Sequence, residues 1–129
     1  MNNKRHTIAI IGASGQRRKF GNKAVRAFLE AGFTVYPVNP HEQAIEGVKA
    51  YADLGHVPQP VEIVSLYVPP AVGQTLIEDI VAAHPKEVYL NPGAESEKLF
   101  HSLANSGIKV RKSCSLVAYR MSPSQFPDY

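Results

Sequence analysis

Residues Thr7 to Gly21 read TIAIIGASGQRRKFG, and this stretch decides the fold. Thr7–Ile11 is a short apolar run rich in β-branched residues, which predicts a buried parallel strand. The run ends at the turn GASG of residues 12–15, and a helical pattern of apolar residues begins after Gly21. A strand, a glycine turn and a helix in this order are typical of a nucleotide-binding α/β domain. Glycines let the backbone approach a pyrophosphate, and the helix N-terminus offers free N–H groups.

Length, charge and cysteine content narrow the class of protein. A chain of 129 residues predicts one domain, with a core over about residues 5–120 and a proline- and serine-rich tail at 121–129. The formal net charge of +3 does not indicate nucleic-acid binding, although it suits a polyanionic small ligand. A single cysteine, Cys114, excludes an intrachain disulfide and favours a cytoplasmic location. Apolar runs are too short for a membrane span or a signal peptide, so we expect no membrane contact.

Apolar runs and helical stripes alternate along the rest of the chain. Strands are predicted at residues 33–38, 62–68, 87–90 and 108–110, with helices at 22–31, 70–84 and 95–106, and a short edge strand at 47–50. Repeated β-α-β order predicts an α/β Rossmann-like three-layer sandwich with a mostly parallel sheet of five to six strands. In such a sheet the turns that follow the strands meet at one edge, where ligands bind.

The end of the second predicted strand bears on which nucleotide is bound. NAD-binding domains place an acidic residue there to accept the ribose hydroxyls, whereas this chain has Val38, Asn39 and Pro40. Three cations at residues 17–19 follow the glycine turn. They suit the phosphates of coenzyme A, which carries more phosphate charge than NAD, and they also leave NADP open. The alternative is a solvated basic loop.

Recognisable catalytic patterns are absent from the sequence. The five histidines show no i, i+4 pair and none neighbours Cys114, so neither a metal site nor a Cys-His dyad is indicated. Neither a G-x-S-x-G elbow nor a G-x-x-x-x-G-K-[ST] loop occurs. Arg111 and Lys112 precede Cys114, and nearby cations are typical of a reactive thiol. The alternative is a small buried residue, which is the more common role of a free cysteine. We expect no catalysis by this chain alone.

Several segments spread over about residues 5–120 resemble one known family. They are Ile10–Ser14, Val35–Pro40, Gly47 with Val48 and Tyr51, Tyr67–Pro70, and Asn91–Gly93. Their order and spacing resemble the small stand-alone CoA-binding proteins and the N-terminal domain of the succinyl-CoA synthetase alpha subunit. The resemblance implies a Rossmann-like fold that binds CoA or an acyl-CoA along the ends of the strands.

The same resemblance implies a set of ligand-binding residues. The glycine turn would hold the phosphates, Asn39 and Pro40 would flank the adenosine, and the later turns would line the remainder. The candidate cofactor-binding residues are Gly12, Ala13, Ser14, Gly15, Arg17, Lys19, Asn39, Pro40, Tyr67, Val68, Pro69, Asn91, Pro92, Gly93 and Cys114. The synthetase has a lysine where this chain has His41-Glu42, and it has a second domain with a phosphorylated histidine. This sequence shows no such domain, so ligase activity is not expected.

Three interpretations therefore stay open at the level of sequence. The first is a CoA-binding protein without its own catalytic apparatus, with a small molecule and no nucleic acid or membrane as its partner. The second is an NAD(P)-linked oxidoreductase or redox sensor. The third is an interaction module whose glycine turn is purely structural. If the turn holds a phosphate, Gly12→Val is expected to abolish binding more than it harms folding.

Overall fold

A computed structural model describes residues 6–129, so residues 1–5, where the predicted core begins, lie outside the described part. In chain order the strands are β1 (Thr7–Ile11), β2 (Thr34–Val38), β3 (Ala44–Ile45), β4 (Val48–Lys49), β5 (Ile63–Leu66), β6 (Glu87–Leu90) and β7 (Lys109–Arg111). The helices are α1 (Phe20–Glu30), α2 (Pro70–Gln74), α3 (Ile77–Ala83), α4 (Glu97–Asn105) and α5 (Ser115–Ala118), with 3₁₀ turns at Leu54–His56 and Pro123–Gln125.

Five of these strands form one parallel sheet in the order β2-β1-β5-β6-β7. The chain leaves β1 toward β2 on one side, whereas β5 pairs with β1 on the other side and continues toward β6. Strand order therefore reverses at β1 and β5. In open parallel sheets, the crevice beyond the carboxyl ends of two such strands is where ligands bind.

Helices cover both faces of the sheet, which confirms the predicted Rossmann-like three-layer arrangement. On one face, Phe28 of α1 and Leu116 of α5 pack in one buried cluster. On the other face, Ile80 of α3 and Leu99 and Leu103 of α4 pack in a second cluster. Each layer buries its apolar stripe against the sheet, and this burial is the main favourable term in folding.

The predicted edge strand at residues 47–50 is not part of this sheet. β4 instead pairs antiparallel with β3, with Ile45 opposite Val48. The two residues between them, Glu46 and Gly47, have φ angles of 52° and 80°. Two positive φ values in a two-residue loop match the twist of a tight hairpin, so the segment folds back on itself rather than extending the sheet.

Strand β2 forms the sheet edge, and this position explains how it accommodates Pro37. The carbonyl oxygen of Pro37 accepts a hydrogen bond from the N–H of Tyr51 at 2.9 Å, on the side away from β1. The backbone nitrogen and carbonyl of one residue point the same way along a strand. The missing N–H of Pro37 therefore faces outward and costs no bond to β1.

Two further segments differ from the sequence-based expectation. The helix predicted at 70–84 is divided into α2 and α3, because Thr75 and Leu76 form tighter i→i−3 bonds with Val72 and Gly73. Residues 121–129, expected to be a tail, pack along α1 and bury Phe126. No helix among residues 6–129 has the length and apolar character needed to cross a membrane.

Candidate functional site

A cavity of about 480 Å³ opens at the carboxyl edge of the sheet, and we call it the main cavity. Its lining residues are Gly12, Ala13, Ser14, Lys19, Phe20, Gly21, Asn39, Tyr67, Val68, Pro69, Pro92, Gly93 and Ala94. The turns that follow β1, β5 and β6 thus meet around one space, as parallel strand order requires. Ten of the fifteen candidate residues from the sequence lie in this lining. Phe20, Gly21 and Ala94 were missed, although Gly21 at the helix start was the available signal.

Unpaired backbone N–H groups line the β1 side of the main cavity. Helix α1 begins at Phe20, and the side chain of the preceding Lys19 makes no capping bond. Within residues 6–129, no hydrogen bond engages the N–H groups of Ala13, Ser14, Phe20 or Gly21. A helix N-terminus with free N–H groups and a partial positive charge is a ready anion site, so this wall suits a phosphate.

Gly12 and Gly21 allow the turn after β1 and helix α1 to approach each other. A Cβ at Gly21 would lie 2.1 Å from the carbonyl oxygen of Gly12. A Cβ at Gly12 would lie 2.6 Å from the carbonyl oxygen of Tyr67, and the φ angle of Gly12 is 91°. A side chain at Gly12 would therefore collide with the backbone after β5. The expectation that Gly12→Val would impair binding more than folding is wrong on these grounds.

Two amide side chains hold the glycine turn in place. Asn39, at the end of β2, donates from Nδ2 to the carbonyl oxygen of Ala13 at 2.8 Å. Asn22 of α1 donates from Nδ2 to the carbonyl oxygen of Ser14 at 2.9 Å. The hydroxyl of Ser14 accepts the N–H of Gln16 at 3.0 Å. These bonds occupy carbonyl groups of the turn, whereas the N–H groups of Ala13 and Ser14 have no partner within residues 6–129.

Only one of the three cations at residues 17–19 lines the main cavity. Lys19 lines the main cavity and has no ion pair within the described residues. Arg17 instead donates to both carboxylate oxygens of Glu46, at 2.6 and 3.2 Å, and to the carbonyl oxygen of Tyr129. The hydrogen bond from Arg17 holds the pKa of Glu46 below its ordinary value. The structure therefore leaves Arg17 outside the candidate site.

A second cavity of about 220 Å³ adjoins the main cavity on the β2 side, and we call it the β2-side cavity. Its lining residues are Ile11, Gly12, Val38, Asn39, Pro40, Ala52, Asp53, Leu54, Val68, Val72 and Leu76. It shares Gly12, Asn39 and Val68 with the main cavity. Pro40, a candidate residue for flanking adenosine, lies here. Most of the lining is aliphatic, which suits a flat aromatic group better than a charged one.

A third cavity of about 310 Å³ adjoins the main cavity beside α5, and we call it the α5-side cavity. Its lining residues are Phe20, Tyr67, Pro92, Cys114, Leu116, Val117 and Pro123. The half-buried Cys114 lies here rather than in the main cavity. Arg111 pairs with Glu87 at 3.0 Å and Lys112 pairs with Glu97, so carboxylates hold the two cations that precede the cysteine.

Asn91 lies beneath the cavities rather than in their linings. It is 1% exposed and donates from Nδ2 to the hydroxyl of Ser65 at 2.8 Å and the carbonyl oxygen of Leu66 at 2.7 Å. The hydroxyl of Ser115 lies 2.8 Å from that of Ser65 and 3.2 Å from that of Tyr67. Burial raises the pKa of Tyr67 to about 12. Through this hydrogen-bond network Asn91 connects β5 to α5, so its role is structural.

Gly15 also lies outside the three linings. It is exposed, and a Cβ built on it would come within 3.4 Å of the carboxylate of Glu42.

Across residues 6–129 there is no group of three or more histidine, cysteine, aspartate or glutamate side chains placed to hold a metal ion. The three linings consist mainly of small and apolar residues, and Lys19 and Asp53 are their charged side chains.

Comparison with protein families gives a match over most of the chain. A family model described as a CoA binding domain matches residues 6–120. Among curated proteins, the chain is 42% identical over 73 residues to the alpha subunit of ADP-forming acetate–CoA ligase II from Pyrococcus furiosus. That alignment covers 55% of this chain but only 16% of the subunit, so the chain spans a small part of this relative's length.

Solved structures show the same fold in stand-alone and larger proteins. A conserved hypothetical protein from Pyrococcus furiosus superposes with a TM-score of 0.80 at 36% identity, covering 88% of this chain and 98% of that one. The dinucleotide-forming acetyl-coenzyme A synthetase 1 of Ca. Korarchaeum cryptofilum superposes with a TM-score of 0.74 at 28% identity. That match covers 84% of this chain and 26% of the synthetase.

Proposed function

Since the chain belongs to the CoA binding domain family, we propose that it binds coenzyme A or an acyl-CoA along the carboxyl edge of its sheet. One observation carries this proposal. The three cavities form a continuous row in which the main cavity shares residues with the β2-side cavity and with the α5-side cavity. Their chemistry changes along the row in the same order as the parts of the ligand: an aromatic base, a charged pyrophosphate with the polar arm that follows it, and the thiol end with any acyl group it carries.

The pyrophosphate fits the main cavity. The free N–H groups of Phe20 and Gly21 stand at the N-terminus of α1, and Lys19 adds a full positive charge at the same wall. Such donors bind phosphate oxygens through charge-assisted hydrogen bonds, which are stronger than neutral ones. Asn39 supports this arrangement indirectly, because it holds the carbonyl of Ala13 away from the anion.

The adenosine fits the β2-side cavity. Pro40 and Leu54 contribute apolar surface for the base, and Val72 is a partly exposed aliphatic residue of the same lining. No acidic residue follows Val38 at the end of β2, where an NAD-binding domain would use one for the ribose. This difference favours CoA over NAD.

We further propose that binding is not coupled to a reaction catalysed by this chain. The lining of the main cavity contains no carboxylate and no histidine. Its hydroxyl groups are already engaged, since Ser14 accepts from Gln16 and Tyr67 bonds to Ser115. No pair of side chains there resembles a nucleophile with its base.

The single cysteine supports our proposal of a cytoplasmic location.

Calorimetric titration with CoA, NAD and NADP tests the proposed ligand. We expect CoA to bind and NAD to bind much more weakly or not at all. The neighbouring cations provide a matched pair of variants, because Lys19 lines the main cavity whereas Arg18 donates to Gln16 outside it. Lys19→Gln should weaken CoA binding about tenfold, the loss of one charge-assisted hydrogen bond, and Arg18→Gln should have little effect. Tight binding of NAD or NADP with none of CoA would refute the proposal.

A further inference from the structure

The α5-side cavity differs chemically from the main cavity that it adjoins. Of its seven lining residues, only Tyr67 and Cys114 carry a polar side-chain group. The hydroxyl of Tyr67 already bonds to Ser115, and a thiol is a weak donor and acceptor. Ligand amides placed here would lose their hydrogen bonds to water with little replacement, whereas hydrocarbon would gain from leaving water.

We propose that this cavity receives the acyl group of an acyl-CoA, so that the ligand is a thioester with an apolar acyl chain. This inference rests on the proposed binding of CoA. Adenosine in the β2-side cavity and pyrophosphate at α1 direct the remaining arm of an elongated ligand past Tyr67 and Pro92. Those two residues, with Phe20, belong to the linings of both the main and the α5-side cavities. The thiol end of CoA therefore reaches the boundary between the two cavities. An acyl group on that thiol extends into the apolar α5-side cavity.

The rim of the α5-side cavity supports an apolar occupant. Phe20 is 62% exposed and Val117 is 65% exposed, and both are large apolar residues at the cavity. Exposed apolar residues that stand together over a concave surface indicate a binding site rather than ordinary surface composition. An acyl chain between them would remove both side chains and itself from water.

A series of ligands that differ only in the acyl chain tests this proposal. We expect calorimetric affinities to rise from acetyl-CoA through butyryl-CoA to hexanoyl-CoA. Burial of one methylene is worth about 0.8 kcal/mol, which is about a fourfold gain in affinity per methylene until the cavity is full. CoA itself serves as the reference for the rest of the molecule.

Two neighbouring residues of α5 supply the variants. Val117→Thr keeps the shape of the side chain and adds a hydroxyl to the apolar wall, so it should reduce the gain per methylene by about half or more. Ala118→Ser adds a hydroxyl at an exposed position outside the lining and should leave the gain unchanged. The gain per methylene is compared within each variant, which removes any effect on CoA binding as a whole.

The outcomes separate this inference from the proposed function. If CoA itself does not bind, the proposed function fails and the inference fails with it. If CoA binds but longer acyl chains bring no gain, only the inference is overturned. A gain that persists unchanged in Val117→Thr would place the acyl chain elsewhere and overturn the inference too. Sedimentation that shows a dimer abolished by Val117→Thr would make this surface an interface between two copies and would also overturn it.

Discussion

The Oδ1 atom of Asn91 accepts a hydrogen bond from the backbone N–H of Ser115 at 2.8 Å, and this bond joins the end of β6 to the start of α5. Helix α5 has only four residues and is too short to be stable by itself. Its position beside the cavities depends on contacts such as this one. Asn91 thus sets where Cys114 and Leu116 stand without itself reaching the ligand space.

Asn91→Ala should destabilise the fold. The substitution leaves the buried N–H of Ser115 without its acceptor and removes the donor to the hydroxyl of Ser65 and the carbonyl oxygen of Leu66, at a cost of about 1–3 kcal/mol in the free energy of unfolding. Urea denaturation measures this loss. Asn105→Ala, at the exposed end of α4, is the matched control and should change the free energy by about 0.5 kcal/mol or less. Equal effects of the two substitutions would contradict the assigned role of Asn91.

Gly12→Ala should destabilise the protein more than Gly93→Ala. Both glycines have φ above 90°, so an alanine at either position is strained by about 1–2 kcal/mol. At Gly93 a Cβ meets nothing within 4 Å, whereas at Gly12 it would lie 2.6 Å from the carbonyl oxygen of Tyr67. The difference between the two unfolding free energies isolates the collision from the strain. If Gly12→Ala is no less stable than Gly93→Ala, the close approach of the two backbones is refuted.

Glu46→Gln should reduce the loss of stability in acid. The hydrogen bond from Arg17 is the main reason why the pKa of Glu46 lies below its ordinary value of 4.5, and the bond from Asn22 acts in the same direction. A lowered carboxyl pKa in the folded state contributes stability that is fully present above the unfolded value and is lost as pH falls through the folded value. Wild-type stability should therefore fall on acidification below about pH 4.5, and the variant should lose less.

The partner residue provides the control for this pH dependence. Arg17→Gln removes the larger of the two interactions that lower the pKa of Glu46, so it should weaken the acid dependence, but less than Glu46→Gln does, because Glu46 keeps its hydrogen bond from Asn22. The double variant should have the acid dependence of Glu46→Gln alone, because the carboxylate that titrates is absent from both. Additive effects in chemical denaturation at several pH values would show that the two side chains stabilise the fold independently.

An acyl-CoA should slow alkylation of Cys114. The thiol is half-buried in the lining of the α5-side cavity, so iodoacetamide reaches it through the space that the ligand would occupy. Intact-protein mass spectrometry gives the rate with and without ligand, and Cys114→Ser should show no label. Labelling at the same rate with saturating ligand would place the bound molecule away from this cysteine.

Much of the framework follows from local sequence. Strand β1 has the bounds predicted from its apolar β-branched run, because a run of that composition that ends at a glycine has few alternatives to a buried strand. β6 likewise occupies the predicted residues 87–90. Parallel order then requires that the turns after β1, β5 and β6 share one edge, so the convergence at the main cavity was predictable without knowledge of any side-chain contact.

The tertiary structure alone decided which of those residues reach the cavity. Arg17 and Lys19 lie in the same basic stretch, yet only Lys19 lines the main cavity. Arg17 instead donates hydrogen bonds to Glu46, which lies 29 residues further along the chain in the hairpin of β3 and β4. Asn91 is turned inward by Ser115, 24 residues further along the chain. Sequence determined the periodic burial of strands and helices, since that depends on neighbours along the chain. Pairings between distant segments depend on which surfaces meet after folding, and local pattern carries no record of them.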